Sequence, residues 1–212
     1  EEITVEVRDP ENASGEDSIV LDITPTAVPT AVILKPVESG LFYSDYPITF
    51  EGLIFDNEDN VTDLFYEWSS SIDGVIELNS TLESDGSMLG SVYLSEGIHF
   101  ITLRVEDTTA KTSTASTTIT VGGPNNDPNC GIVAPTNGFA VPVGDIITFE
   151  GFATDEDINN NQLTVEWTSD KIEGGLGTST PNTSGEFVFS YSGLTVDTHS
   201  VTMTVTDEKG ST

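Results

Sequence analysis

Cysteine is almost absent from this chain of 212 residues, lysine and arginine together number 6, and there are two histidines and two methionines. A lone cysteine, Cys130, excludes an internal disulfide and any cysteine-pair metal or redox motif. Its place opposite Ala31 in the internal repeat described below predicts a small buried side chain. Six basic residues against 36 acidic ones leave a formal net charge of -30. That balance removes nucleic acid and anionic lipid surfaces as partners, since both require a basic footprint. No apolar run approaches the ~18–20 residues of a membrane-spanning helix, and Glu1-Glu2-Ile3 does not open a signal peptide. Hydrophobic residues make up 36% of the chain, and regularly spaced Val, Ile and Leu with 8% aromatics suffice for folded cores.

What the chain does contain is a repeat. Thr49-Phe50-Glu51-Gly52 returns as Thr148-Phe149-Glu150-Gly151, Glu67-Trp68-Ser69 as Glu166-Trp167-Thr168, and Ile33-Leu34-Lys35-Pro36 as Ile132-Val133-Ala134-Pro135, each at an offset of 99. His99 and Val105-Glu106-Asp107 return as His199 and Val205-Thr206-Asp207 at an offset of 100. Val7 and Asp9 fall on Val105 and Asp107 at an offset of 98. The boundaries expected from this are residues 1–27 as the last two strands of a preceding copy, 28–122 as a complete copy, and 123–212 as a copy without its final strand. The chain thus reads as a window on a longer array, continued covalently or by strand exchange between molecules.

Within a copy the hydrophobic period is two. Ile101, Leu103 and Val105 alternate with Thr102, Arg104 and Glu106, as in a strand with one buried and one wet face. Strands are predicted near 31–36, 47–55, 64–70, 74–79, 89–95, 99–106 and 116–121, with turns at Asp73-Gly74, Asp85-Gly86 and Ser95-Glu96-Gly97. The expected fold is all-β: tandem immunoglobulin/PKD-like β-sandwich domains arranged head to tail, with Trp68 and Trp167 in their cores. Phe50, Phe65, Tyr66 and Phe149 also occupy strand positions where burial is expected, whereas Phe42, Tyr43 and Tyr46 are expected nearer the surface.

The Pro-ending strand Ile33–Pro36, the Thr-Phe-Glu-Gly strand, the acidic turn Asp56-Asn57-Glu58-Asp59, Leu64–Trp68 and the closing run Ser95–Asp107 together resemble the polycystic-kidney-disease (PKD) and related Ig-like surface repeats of bacteria and archaea. After each tryptophan, residues 69–74 and 168–174 differ from that family's Trp-x-Phe-Gly-Asp-Gly. The resemblance implies a spacer, stalk, fibre, filament or adhesin shaft outside the cell, with no catalytic role. Its partners would be neighbouring repeats, copies of itself, or a cell-surface or polysaccharide ligand. The alternative is an accessory binding module of a secreted hydrolase, which an exposed row of aromatics would favour.

Two classes of side chain invite chemistry. His99 and His199 recur just ahead of the same strand, which predicts a structural hydrogen bond at a sheet corner. The recurrent acids point instead to one end of each sandwich. Asp56, Glu58 and Asp107 in one copy and Asp155, Asp157 and Asp207 in the next are expected to converge where the incoming linker arrives. Carboxylates with backbone carbonyls and water suit Ca²⁺, and Asp127, Asn125 and Asn129 of the second linker could add ligands. The first linker, Thr24–Pro29, has no acid. Asn12, Asn60, Asn79 and Asn182 begin Asn-x-Ser/Thr sequons that permit glycosylation. Strong acidity with little lysine keeps a surface soluble in saline or divalent-rich water, which favours the cell surface of a prokaryote from such a setting.

Overall fold

Alternation becomes strand pairing throughout the computed structural model, which describes residues 1–23 and 25–212 and divides them into Glu1–Gly122 (unit 1) and Gly123–Thr212 (unit 2). Thr24, at the head of the first linker, lies outside the described residues. Unit 1 begins with a hairpin of β1 (Glu2–Arg8) and β2 (Ser14–Val20), in register from Glu2↔Val20 to Arg8↔Ser14. The Asp9 carboxylate closes its turn by accepting the backbone N–H groups of Glu11 and Ala13, both at 2.9 Å.

The sandwich of unit 1 follows: β3 (Thr30–Lys35), β4 (Phe42–Tyr43), β5 (Ile48–Phe55), β6 (Phe65–Ser70), β7 (Gly74–Ile76), β8 (Ser87–Val92), β9 (Gly97–Glu106) and β10 (Thr112–Gly122). One sheet runs β3-β5-β8 and the other β4-β10-β9-β6-β7. Unit 2 repeats this partition with β11 (Asn129–Ala134), β12 (Ile147–Thr154), β13 (Thr164–Ser169), β14 (Ile172–Ser179), β15 (Glu186–Tyr191) and β16 (Val201–Thr206), in sheets β11-β12-β15 and β14-β13-β16. A register shift falls at the same place in both first strands, between Ile33 and Lys35 and between Ile132 and Ala134.

Both tryptophans are core residues, Trp68 at 2% and Trp167 at 0% exposure. Trp68 meets Phe50 edge-on, with ring centroids 5.3 Å apart, and its indole N–H points at the Met88 sulfur. Trp167 stacks on Phe189 at 5.5 Å, and Phe149 and Phe187 close around it. The glycine of each Thr-Phe-Glu-Gly strand makes room for these rings. A Cβ on Gly52 would stand 2.8 Å from Trp68, and one on Gly151 2.7 Å from Phe187.

Several expectations need correction. The strand expected over 74–79 ends at Ile76, because the chain then crosses toward β8, where Leu78 and Ser80 lie over Gly90. The last strand of unit 1 starts at Thr112, not 116, since the Ser/Thr-rich run pairs with β9 over its whole length. Tyr43, expected near the surface, is buried beneath the parallel β4–β10 pairing. Phe65, expected inside, is 54% exposed, because Tyr66, Trp68 and Ser70 take the inward phase of β6. Cys130 is exposed, not buried. In unit 1 the equivalent Ala31 packs on the core beside β10, whose Ile119 and Val121 close it, and unit 2 has no counterpart of β10 among its described residues.

Candidate functional site

At one end of each sandwich the loop after the second long strand meets the turn that follows β9 or β16. Both are built around aspartates, because a short carboxylate can accept the backbone N–H groups two to four residues ahead and so fold a turn upon itself. Asp56 Oδ1 accepts from Glu58 N (2.8 Å) and Asp59 N (3.0 Å); Asp155 Oδ1 does the same with Asp157 N (2.7 Å) and Ile158 N (3.1 Å). Asp107 Oδ1 takes Thr109 N and Lys111 N, each at 2.8 Å, and Asp207 Oδ1 takes Lys209 N and Ser211 N at the same distances. Asp9 holds the hairpin turn identically, so one device occurs at all three positions matched by the repeat.

The incoming chain is fastened to these loops at equivalent points. Ala27 N donates to Glu58 Oε2 at 3.2 Å, and Asn126 N donates to Asp157 Oδ2 at 2.6 Å. One residue earlier the units diverge. In unit 1 the Lys111 ammonium binds the Thr26 carbonyl and hydroxyl. In unit 2 Asn125 Nδ2 donates to Asp207 Oδ2 at 2.7 Å and to Ser211 Oγ at 3.2 Å. Lys111, Thr26, Ala27 and Asn126 were not singled out by the sequence. Asp59, read from the sequence only as part of the acidic turn, receives Thr108 N at 2.9 Å. A shared backbone contact carries no residue-type signal, which is why Ala27 and Asn126 escape a reading of motifs.

The electrostatics follow from these bonds. The backbone N–H groups of Glu58 and Asp59 hold the Asp56 carboxyl below its ordinary value. Burial opposes ionisation of Asp107, but hydrogen bonds from Lys111 N and Thr109 more than offset it. For Asp207 burial is likewise outweighed, here by Asn125 and the N–H groups of Ser211 and Lys209. The anions are therefore held as anions by the turns they build.

The seven expected metal ligands are thus placed, and mostly occupied. Among the described residues no group of three or more His, Cys, Asp or Glu side chains is arranged to hold a metal ion. Asp107 and Asp207 close turns, and Glu58 and Asp157 bind the incoming backbone. Asp127 lines a polar cleft of about 350 Å³ with Asn126, Asn129, Thr154, Asp155 and Glu156. One feature does fit a cation: Asp56 Oδ2 and Asp155 Oδ2 are buried with no hydrogen-bond partner among the described residues, at equivalent positions.

The histidines are fasteners, as expected. His99 is fully buried, with Nε2 2.7 Å from the Ser95 carbonyl and Nδ1 2.7 Å from Ser70 Oγ. A carbonyl can only accept, so Nε2 carries a proton, while Nδ1 shares a hydrogen bond with the Ser70 hydroxyl, whose oxygen also takes Ile72 N and Asp73 N. His199 repeats this with Ser169 Oγ at 2.9 Å and the Thr195 carbonyl at 2.9 Å. A serine hydroxyl so engaged ties the strand end to the next turn.

No protein-family model and no curated protein sequence matches the chain. Solved structures do. The fibronectin(III)-like modules of Clostridium thermocellum CbhA are similar over 86% of this chain and 88% of theirs, at 12% identity and a TM-score of 0.54. A 1.5-MDa bacterial ice-binding adhesin is similar over 99% of this chain and 69% of its own, at 16% identity and a TM-score of 0.47. A Ca²⁺-stabilized adhesin with which an Antarctic bacterium binds ice is similar over 99% and 53%, at 16% identity and a TM-score of 0.43. The chain has an Ig-like, all-β sandwich fold. No helix among the described residues is long and apolar enough to cross a membrane.

Proposed function

We propose that the chain is a non-catalytic stretch of PKD/Ig-like sandwiches, following one another head to tail in a stalk, fibre, filament or adhesin shaft on the surface of a prokaryote from a saline setting. Residues 1–27 are on this reading the end of one copy, 28–122 a second and 123–212 a third. One observation carries it: the chain entering each sandwich donates a backbone N–H to the same loop acid, Ala27 to Glu58 and Asn126 to Asp157. Such a contact sets the direction in which each sandwich leaves its linker, which is what a spacer must control. The net charge of -30 supports exposure to salt, where screening over a few ångströms limits self-repulsion. The accessory binding module has less support. Of the exposed aromatics on the strands of unit 1, Phe65 and Phe100 pair with Glu106 and Thr118 toward opposite ends of β9, and Phe55 lies at the end of β5 in the other sheet, so these three make no row.

A divalent cation at the acidic loops is a second reading, favoured by the orphaned Oδ2 atoms of Asp56 and Asp155. Ca²⁺ would be met there by Asp155 and Asp127 in unit 2 and by Asp56 in unit 1, and would supply charge neutralisation. The test is X-ray scattering and thermal melting of residues 1–212 with calcium and with chelator, on the wild type and on Asp157→Ala. Loss of extension in Asp157→Ala alone supports linker fastening without metal. A chelator effect on both measurements supports the cation. Identical profiles throughout sink both.

A further inference from the structure

The two sandwiches differ at one sheet edge. In unit 2, β13 is flanked on both sides: β16 pairs with it from Thr164 to Ser169, and β14 from Val165 to Ser169. In unit 1, β9 covers β6 from Phe65 to Ser70, but β7 pairs only with Trp68, Ser69 and Ser70. Phe65, Tyr66 and Glu67 therefore have no strand beside them on that flank among the described residues. The cause is the early crossing at Leu78, which takes the chain away before it can fill the edge. What remains is a groove of about 310 Å³ whose walls include Phe65, Tyr66, Glu67, Val75, Glu77 and Leu78.

An unpaired edge is a template for another extended chain, and folded proteins commonly guard such edges with lysine, proline or a bulge. Phe65–Glu67 has no lysine, proline or bulge, and the one charge on the edge itself is the acid Glu67. Its outward face is mixed: Phe65, 54% exposed, stands beside Glu67, and Val75 of the neighbouring β7 is 62% exposed. The charges in the groove wall are Glu67 and Glu77, both acidic. Arg104, over the Phe65 ring at 5.8 Å, is already paired with Glu106. Acids at an edge repel an acidic strand and admit a basic one. A second copy of this chain, at -30, is thus the disfavoured occupant.

The geometry points to the β6 edge at Phe65–Glu67 as a docking site for an extended, lysine- or arginine-bearing peptide segment, which adds a short strand beside it. Backbone hydrogen bonds supply the pairing, Phe65 and Val75 receive the apolar side chains, and Glu67 and Glu77 receive the cationic ones. This does not depend on the spacer reading.

The experiment is an amide-resolved NMR titration of ¹⁵N-labelled 1–212 at 150 mM salt with the peptide acetyl-TKVKVT-amide. Saturable shifts confined to Phe65–Glu67, Gly74–Ile76 and their neighbours are expected. Glu67→Lys, at a half-buried position opposite Arg104 and therefore checked for folding by its own spectrum, is expected to weaken binding about tenfold, ~1.4 kcal/mol. The acidic counterpart acetyl-TEVEVT-amide is expected not to bind. The proposal is overturned by shifts scattered without saturation over the acidic surface, by equal binding of the two peptides, or by unchanged affinity in Glu67→Lys. Saturable shifts at the same amides from a glucan hexasaccharide, with none from the basic peptide, would overturn it in favour of a glycan site.

Discussion

Unit 1 and unit 2 solve one packing problem in opposite ways. Where the chain passes over the strand that ends in Val92 or Tyr191, unit 1 sets Leu78 above Gly90, and a Cβ on that glycine would come 3.1 Å from the Leu78 Cβ. At the positions 99 residues on, unit 2 sets Gly177 above Phe189, where a Cβ would come 2.8 Å from the ring. Large over small has become small over large. The exchange has consequences on both sides. With Phe189 in place, Trp167 gains a stacking partner, and β14 stays beside β13 as far as Ser179. With Gly90 in place, the chain of unit 1 crosses early and leaves the edge of β6 open. Packing in a dense interior couples such pairs, so neither residue can be read alone.

The sharpest way to break this comparison is to alter one member of each pair. Phe189→Ala removes the stack on Trp167 and is expected to cost unit 2 about 3–5 kcal/mol. Gly90→Phe overfills unit 1 and is expected to cost about 1–3 kcal/mol. Adding Leu78→Gly to Gly90→Phe should restore part of that loss, with a coupling of about 0.5–3 kcal/mol. The reverse exchange in unit 2, Phe189→Gly with Gly177→Leu, should not be restored, because Gly177 has φ of 147°, a conformation that side chains resist. Hydrogen exchange read separately for each unit measures all four. Additive losses in unit 1 would mean that Leu78 and Gly90 are not a compensating pair.

The same pair marks the limit of what the sequence makes legible. Period-two alternation sufficed for the long strands and placed both tryptophans, because a two-sided sheet imposes that period on every residue it buries. It failed where the decision belonged to a contact distant in sequence. β7 ends at Ile76, just before Leu78 and Ser80 pass over Gly90, and Cys130 is exposed in a unit that has no β10 equivalent among its described residues. Repeat position finds acidic loops at matching places in both units but does not show their hydrogen bonding, in which the aspartates that suggest a cation site accept from the N–H groups of their own turns.

A smaller contrast concerns the histidine fasteners. Ser70 is buried and its hydroxyl bridges His99 to Ile72 N and Asp73 N, so Ser70→Ala leaves the buried His99 Nδ1 without its hydroxyl partner and unfastens the turn at Ile72 and Asp73. About 1–3 kcal/mol is the expected loss in unit 1. His199 is half-buried, and water can replace the missing hydroxyl, so Ser169→Ala should cost under about 1 kcal/mol. Equal costs in denaturant titrations of the two variants would show that burial of the ring is not what sets the strength of the fastener.

Acid provides the finest comparison. Asp56, Asp73, Asp85 and Asp107 in unit 1, and Asp207 in unit 2, have carboxyls held below their ordinary value in the folded state. A group whose folded value is depressed contributes stability that is fully present above its unfolded value, about 4, and is lost as pH falls through the lower folded value. The whole chain meanwhile sheds part of its charge of -30 over the same range, and relief of self-repulsion acts in the opposite direction on both units. The absolute change on acidification is therefore a poor readout, and the difference between the units is a good one. Between pH 5 and pH 3, protection in unit 1 should fall relative to unit 2, and Asp107→Asn should narrow the gap by removing one titrating turn. If unit 2 loses protection first, the turn aspartates of unit 1 do not hold its loops through their ionised form, and the fastening of the incoming chain must rest on Lys111 and Thr26 instead.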